Sequence, residues 1–286
     1  VSTQPAKIRS PIIRIKRLVV ALDASQQSIV ALEAAADLAA SLKAELRGVF
    51  VEDIELLRIA DLPVAREVLY PCGTGCRIET DRLRRQLRAQ ASQARQALTS
   101  ICERRHIRWS FETVRGSVES EVLAAANDAD LLILGRVSRP LVRQVRMGST
   151  ARAAIQSSTS SVLLTHATRK IRSPVVTIFH DSPCGQRTLA IAIHVAQRTG
   201  GRLTILLPDD DDQKAHQYVR SQAAESLRRR KLVIRYRRLL DTGLATIQQA
   251  INSEASGVAI LSECTLPSED MQTLIEDLEH PVMLIR

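Results

Sequence analysis

The apolar pattern of residues 19–46 recurs without a gap 157 positions later: Val19, Leu32, Ala39 and Leu46 fall on Val176, Leu189, Ala196 and Leu203. A second ungapped block, displaced by 127, carries Gly116, Ile133 and Leu134 onto Gly243, Ile260 and Leu261. A repeat of this length is a domain duplicated in tandem, which restricts the chain to two copies of one plan. The joint falls at Ala167 to Ser173, a polar stretch closed by Pro174. The 286 residues leave room for two cores at roughly 100–200 residues per domain.

Within the first copy, short apolar runs alternate with helical periodicity. Strands are expected at 17–22, 45–51, 108–114, 131–134 and 161–166, and helices at 28–42, 81–106, 118–127 and 149–156, with a long irregular stretch after residue 51. Strand–helix alternation of this kind gives a parallel sheet with helices on both faces, so the fold class is α/β with two tandem doubly wound domains. The boundaries are 1–166 and 174–286.

Aromatic residues make up only 2% of the chain, so both cores are aliphatic. No apolar run approaches the roughly 18 residues that span a bilayer, and VSTQPAKIRSPIIRIKR has charges but no apolar signal core, so a cytoplasmic protein away from membranes is expected. Five scattered cysteines fit reduced thiols better than a disulfide framework. Only Cys72 and Cys76 lie close, in YPCGTGCR; this is either a surface loop or a thiol pair, with too few neighbouring ligands for a metal.

The net charge of +9 raises the question of nucleic acid. Many of the arginines sit on one amphipathic segment, where Leu83, Leu87, Ala91, Ala94, Leu98 and Ile101 recur at steps of three and four while Arg82, Arg84, Arg85, Arg88 and Arg95 fall between them. That is a solvated helix face. One Trp, three Tyr and three Phe leave little for base stacking, and zinc-finger and helix-turn-helix spacings are absent, which disfavours nucleic acid as a partner.

The stretch GRVSRPLVRQVRMGST, residues 135–150, leaves an apolar strand through Gly135, collects four arginines and reaches Gly148-Ser149-Thr150 where a helix begins. In a doubly wound sheet, ligands sit beyond the carboxyl ends of the strands, and a glycine there lets backbone amides approach a phosphate. A following helix start adds further amides at its positive end. The alternative is an ordinary loop in which Ser149 caps a helix.

Gly135, two residues, Ser138, nine residues, then Gly148-Ser149 resembles the nucleotide loop of the universal stress protein family, G-x-x-G-x9-G-[ST], with Ser138 in place of the second glycine. VVALDASQQS, VRGSVESEVL and SSVLLTH are similar to other segments of that family, and the resemblance is good over residues 17–166 and weak over 174–286. It implies a five-stranded parallel sheet in each domain and an adenine nucleotide, ATP with or without magnesium, lying across the strand ends. By that resemblance Asp23 faces the nucleoside, the Val51 backbone meets adenine, and Gly135, Ser138, Gly148, Ser149 and Thr150 hold ribose and phosphates. Arg136, with Arg139, Arg143 and Arg146, adds positive charge for the phosphates.

The function expected is a stress-response or signalling module that binds ATP in its N-terminal domain and acts through a protein partner. The alternatives are a ligand-free scaffold and a slow ATPase or adenylyl-transferring enzyme. G-x-x-x-x-G-K-[ST], HEXXH and G-x-S-x-G elements are absent, so no catalytic or metal residues are assigned. The C-terminal domain is expected to bind no nucleotide, because Ser262 replaces Gly135, His180 replaces Asp23, and Glu263, Glu269 and Asp270 populate a loop region shorter by about six residues. Pairing of 161–166 with 281–286 would join the domains as an intramolecular pseudo-dimer, with homodimerisation still open.

Overall fold

A computed structural model describes residues 15–68, 75–77, 79–136, 147–166, 171, 173–208, 232–254 and 257–286. The first half runs β1 (Arg17–Leu22), α1 (Gln26–Leu42), β2 (Glu45–Asp53), α2 (Ile54–Ala60), β3 (Arg66–Val68), β4 (Gly75–Arg77), α3 (Thr80–Arg104), β5 (Trp109–Gly116), α4 (Val118–Ala126), β6 (Leu131–Gly135), α5 (Ser149–Ser157) and β7 (Ser161–Thr165). The second half follows with β8 (Val175–Ile178), α6 (Pro183–Thr199), β9 (Arg202–Leu207), β10 (Val233–Arg238), α7 (Leu244–Asn252), β11 (Val258–Ser262), α8 (Ser268–Asp277) and β12 (Val282–Ile285). The stretch expected to be irregular therefore contains the short helix α2 and a β3–β4 hairpin.

Ten strands form one sheet in the order β10-β9-β8-β11-β12-β7-β6-β1-β2-β5. Each half contributes five parallel strands with its first strand at the centre and its third at the outer edge. The halves meet where β7 and β12 pair antiparallel, Val282 opposite Leu164 and Leu284 opposite Val162. Strand direction therefore reverses at this junction, and the carboxyl ends of the two parallel sets point to opposite edges of the sheet.

Central strands such as LLILG of β6 and VAILS of β11 are buried almost throughout, as strands covered on both faces must be. The outer strands β5 and β10 alternate exposed and half-buried residues, and their charged side chains make poor templates for pairing with another sheet. One face of the sheet is covered by α1, α3 and α6, the other by α4, α5, α7 and α8. Small side chains set the spacing of the first layer: Ala31, Ala35, Ala36 and Ala39 of α1 are fully buried. On β2, a Cβ at Gly48 would come within 2.8 Å of Leu98 of α3, so glycine is what lets that helix lie against the strand. The arginines of α3 are exposed, while Leu87, Ala91, Ala94, Leu98 and Ile101 are buried.

Candidate functional site

At the carboxyl ends of β1, β2 and β6 lies an open cleft of about 650 Å³. It stands where successive connections leave the sheet in opposite directions, β1 having β2 on one side and β6 on the other. Its lining includes Asp23, Val51, Gly135, Gly148, Ser149 and Thr150. Six of the eight residues singled out in the sequence are thus brought together, from three strands and the start of one helix.

Asp23 follows β1 directly, and its Oδ1 accepts from the Ser25 amide at 2.9 Å, an Asx turn that holds the carboxylate at the cleft. Ala24 turns the chain with a positive φ of 58°, and the Ser25 side chain then caps α1 by accepting from Ser28 N–H. Val51 owes its position to strand length. Glu45 N–H donates to Lys16 C=O on the β1 side and Leu46 N–H to Arg108 C=O on the β5 side. Successive residues alternate, so Val51, an even step from Glu45, directs its carbonyl to the β1 side. Since β1 ends at Leu22, opposite Phe50, that carbonyl faces the cleft.

Gly135 ends β6, and among the described residues the atoms nearest a Cβ there belong to Gln27, the first at 3.5 Å, an ordinary contact. Packing does not demand glycine at this position; a side chain would instead take up space in the cleft. Beyond it the chain is fastened on both sides, since Arg136 N–H donates to Thr165 C=O and Arg136 C=O accepts from Gly148 N–H, both at 3.1 Å. Gly148 is the N-cap of α5 with φ −64° and ψ 154°, and, being glycine, offers the helix no side-chain cap of its own. The amides of Ser149 and Thr150 therefore begin the helix at the cleft wall with its positive end exposed there.

Arg136 requires a correction. Its side chain is not in the cleft lining: it is buried against the second half, where the guanidinium donates to the carbonyls of Ile275, at 2.9 Å, and Leu278 at the end of α8. Burial lowers its pKa, and the nearby Asp277 and Glu276 partly restore it. A cation at a helix carboxyl end satisfies open carbonyls and complements the dipole. What Arg136 offers the cleft is its backbone, through the bond to Gly148. Ser138, Arg139, Arg143 and Arg146 lie outside the described residues, as does Cys72; Cys76 lies in β4 opposite Glu67.

The sequence reading had not anticipated the other polar residues of the lining. Asp53, Glu55, Ser117, Glu119 and Gln90 complete the wall away from α5. Asp53 is fixed as the cap of α2, its Oδ1 accepting from Glu55 N–H at 2.9 Å; an Asp directly before Ile54-Glu55-Leu56-Leu57, with an acidic residue in the first turn, is a helix-start signature visible in the sequence. The cleft is therefore polarised, with carboxylates on the β2 side and helix amides on the β6 side. Among the described residues no cluster of three or more His, Cys, Asp or Glu could hold a metal ion.

The sequence model of the universal stress protein family matches residues 14–166. The chain belongs to the universal stress protein family. Comparison with curated protein sequences gives no match. Among solved structures, a universal stress protein from Archaeoglobus fulgidus DSM 4304 is similar over 96% of this chain and 99% of that one, with a TM-score of 0.69 and 14% identity. A putative universal stress protein from Pseudomonas aeruginosa UCBPP-PA14 covers 95% of this chain and 93% of its own, with a TM-score of 0.59 and 12% identity. What these two share with the chain is the α/β fold with its large, mostly parallel sheet. Among the described residues no helix is long and apolar enough to cross a membrane.

Proposed function

We propose that the protein is a non-enzymatic stress-response module that binds one adenine nucleotide, ATP, in the cleft of its first half and passes that state to a protein partner. The observation that carries this reading is the convergence of Asp23, Val51, Gly135, Gly148, Ser149 and Thr150 on one cleft at the switch point of the sheet. The polarity of the cleft supports an orientation. Carboxylates accept from ribose hydroxyls and repel phosphate, so the nucleoside belongs on the Asp23 and Val51 side. The start of α5 suits the phosphates. The second half supports no such site, because Ser262 stands where Gly135 stands and its hydroxyl is already engaged by Cys184 at 2.6 Å.

Calorimetric titration of the full chain with ATP tests the reading. One ATP per chain is expected, and Gly148→Glu should abolish the heat while the thermal transition is kept, since the φ of −64° suits any L residue and the new carboxylate sits where phosphate would. Absence of saturable heat in the parent chain would leave a ligand-free scaffold. Equal affinity in parent and variant would reject the site.

A further inference from the structure

The two halves can be overlaid by sequence displacement alone. Displaced by 157, α6 falls on α1, which puts Cys184 where Gln27 stands; displaced by 127, β11 falls on β6, which puts Ser262 where Gly135 stands. In the first half, among the described residues, the atoms nearest the position a Gly135 Cβ would take all belong to Gln27, at 3.5 Å or more. In the second half side chains occupy it. Cys184 Sγ lies 2.6 Å from Ser262 Oγ, and Ser262 Oγ accepts from the backbone N–H of Cys264 at 3.1 Å. Ser262 thus brings the two cysteines together, its Oγ meeting the thiol of Cys184 and the backbone N–H of Cys264.

We infer that Cys184 and Cys264 form a redox-active dithiol, built in the second half at the place that corresponds to the nucleotide cleft of the first, which closes to a disulfide on exchange with low-molecular-weight disulfides. Both cysteines are held in position by their backbone. Cys184 belongs to the first turn of α6, whose cap Ser182 accepts from Gly185 N–H at 3.0 Å. The turn before it folds so tightly that a Cβ at Gly185 would come within 2.1 Å of the His180 carbonyl. Cys264 sits in the turn after β11, fixed through its amide to Ser262 and followed by Thr265 N–H donating to Ser262 C=O at 3.0 Å. The pair also has a workable asymmetry, since Cys264 is exposed and Cys184 half-buried. Cys102, by contrast, is buried in α3 out of reach of any oxidant.

The exchange balances with a disulfide RSSR as the oxidant. The Cys264 thiol loses its proton and attacks one sulfur of RSSR; the S–S bond breaks, and RS⁻ leaves and takes up a proton. Cys184, deprotonated to solvent, then attacks Cys264 Sγ in the mixed disulfide and expels the second RS⁻. The two cysteines lose two electrons and two protons, and RSSR becomes two RSH. Hydrogen bonding from Cys184, with burial, holds the Cys264 thiol above its ordinary pKa, against the lowering by Ser262. Cys264 therefore rests protonated at neutral pH, and the first step accelerates as pH rises.

The test uses the full chain in its reduced form, incubated in glutathione buffers of increasing oxidised fraction, quenched with an alkylating agent and digested without reductant. Cys184 and Cys264 are expected to lose alkylation together and to appear as one cross-linked peptide pair. In Cys184→Ser, Cys264 should stop at a persistent glutathione adduct. Separate adducts on the two cysteines of the parent chain, cross-links to other cysteines instead, or retention of both alkylated thiols across the series would each overturn the pair. The readout in the parent chain needs no variant to fold, and none of its outcomes depends on nucleotide binding.

Discussion

At the scale of single residues, Arg136 shows how a side chain can be misread from its neighbours in sequence. Four arginines in a glycine-bordered loop read as phosphate ligands, yet this one crosses to the other half and binds carbonyls 139 and 142 residues away. Nothing local in the sequence marks such a partner. Replacing it separates the two roles. Arg136→Ala leaves the carbonyls of Ile275 and Leu278 buried without that donor, which costs about 1–3 kcal/mol. The cleft keeps its shape, because the Arg136 carbonyl still holds Gly148. Urea unfolding should show the loss of stability, while calorimetry should find ATP affinity within about threefold of the parent, a difference worth less than about 1 kcal/mol. A large fall in affinity with unchanged stability would restore Arg136 to the nucleotide site. The residues whose placement was legible were those at a strand end or a helix start: Asp23, Gly135, Gly148, Ser149 and Thr150 each sit where one element gives way to the next.

Among the elements, α3 is the clearest case of a pattern that decides its own placement. Its apolar stripe lies on β2 and β5 and its arginines face water, so part of the positive charge that raised the question of nucleic acid serves as the helix exterior the periodicity had marked. Cys102 ends that stripe. Burial pushes its thiol up to about 11 from an ordinary 9.0, with Arg105 opposing. Folding therefore favours the protonated thiol, and the stability this contributes is complete below the unfolded value and lost as pH rises through the folded one. Unfolding free energy should fall between about pH 9 and 11, and Cys102→Val should flatten that part of the profile relative to the parent; parallel profiles would show that Cys102 does not titrate on unfolding. The long helices were legible because apolar spacing over 10 or more residues leaves one period that fits, and the main strands because each is a short apolar run between helical stretches. The hairpin β3–β4 was not, since strands of three residues carry too few side chains to show an alternation.

For the molecule as a whole, the junction of β7 and β12 decides how the chain melts. Leu163 and Met283 face one another there, both fully buried, and the packing on each face of the sheet runs unbroken from one half into the other. Met283→Ala should cost about 2–5 kcal/mol. Because the core is shared, scanning calorimetry should show one transition displaced to lower temperature in place of two transitions with only one displaced; two independent peaks would mean that the halves unfold separately. The duplication was readable from two ungapped displacements. The contacts that weld its copies together involve residues more than 100 positions apart and had to be seen. The same antiparallel junction gives the molecule two poles. On the proposed assignments nucleotide would enter at one end of the sheet and a disulfide reagent at the other, so a bulky protein seated over either entrance would leave its opposite accessible, and a single copy would receive both signals at the same time.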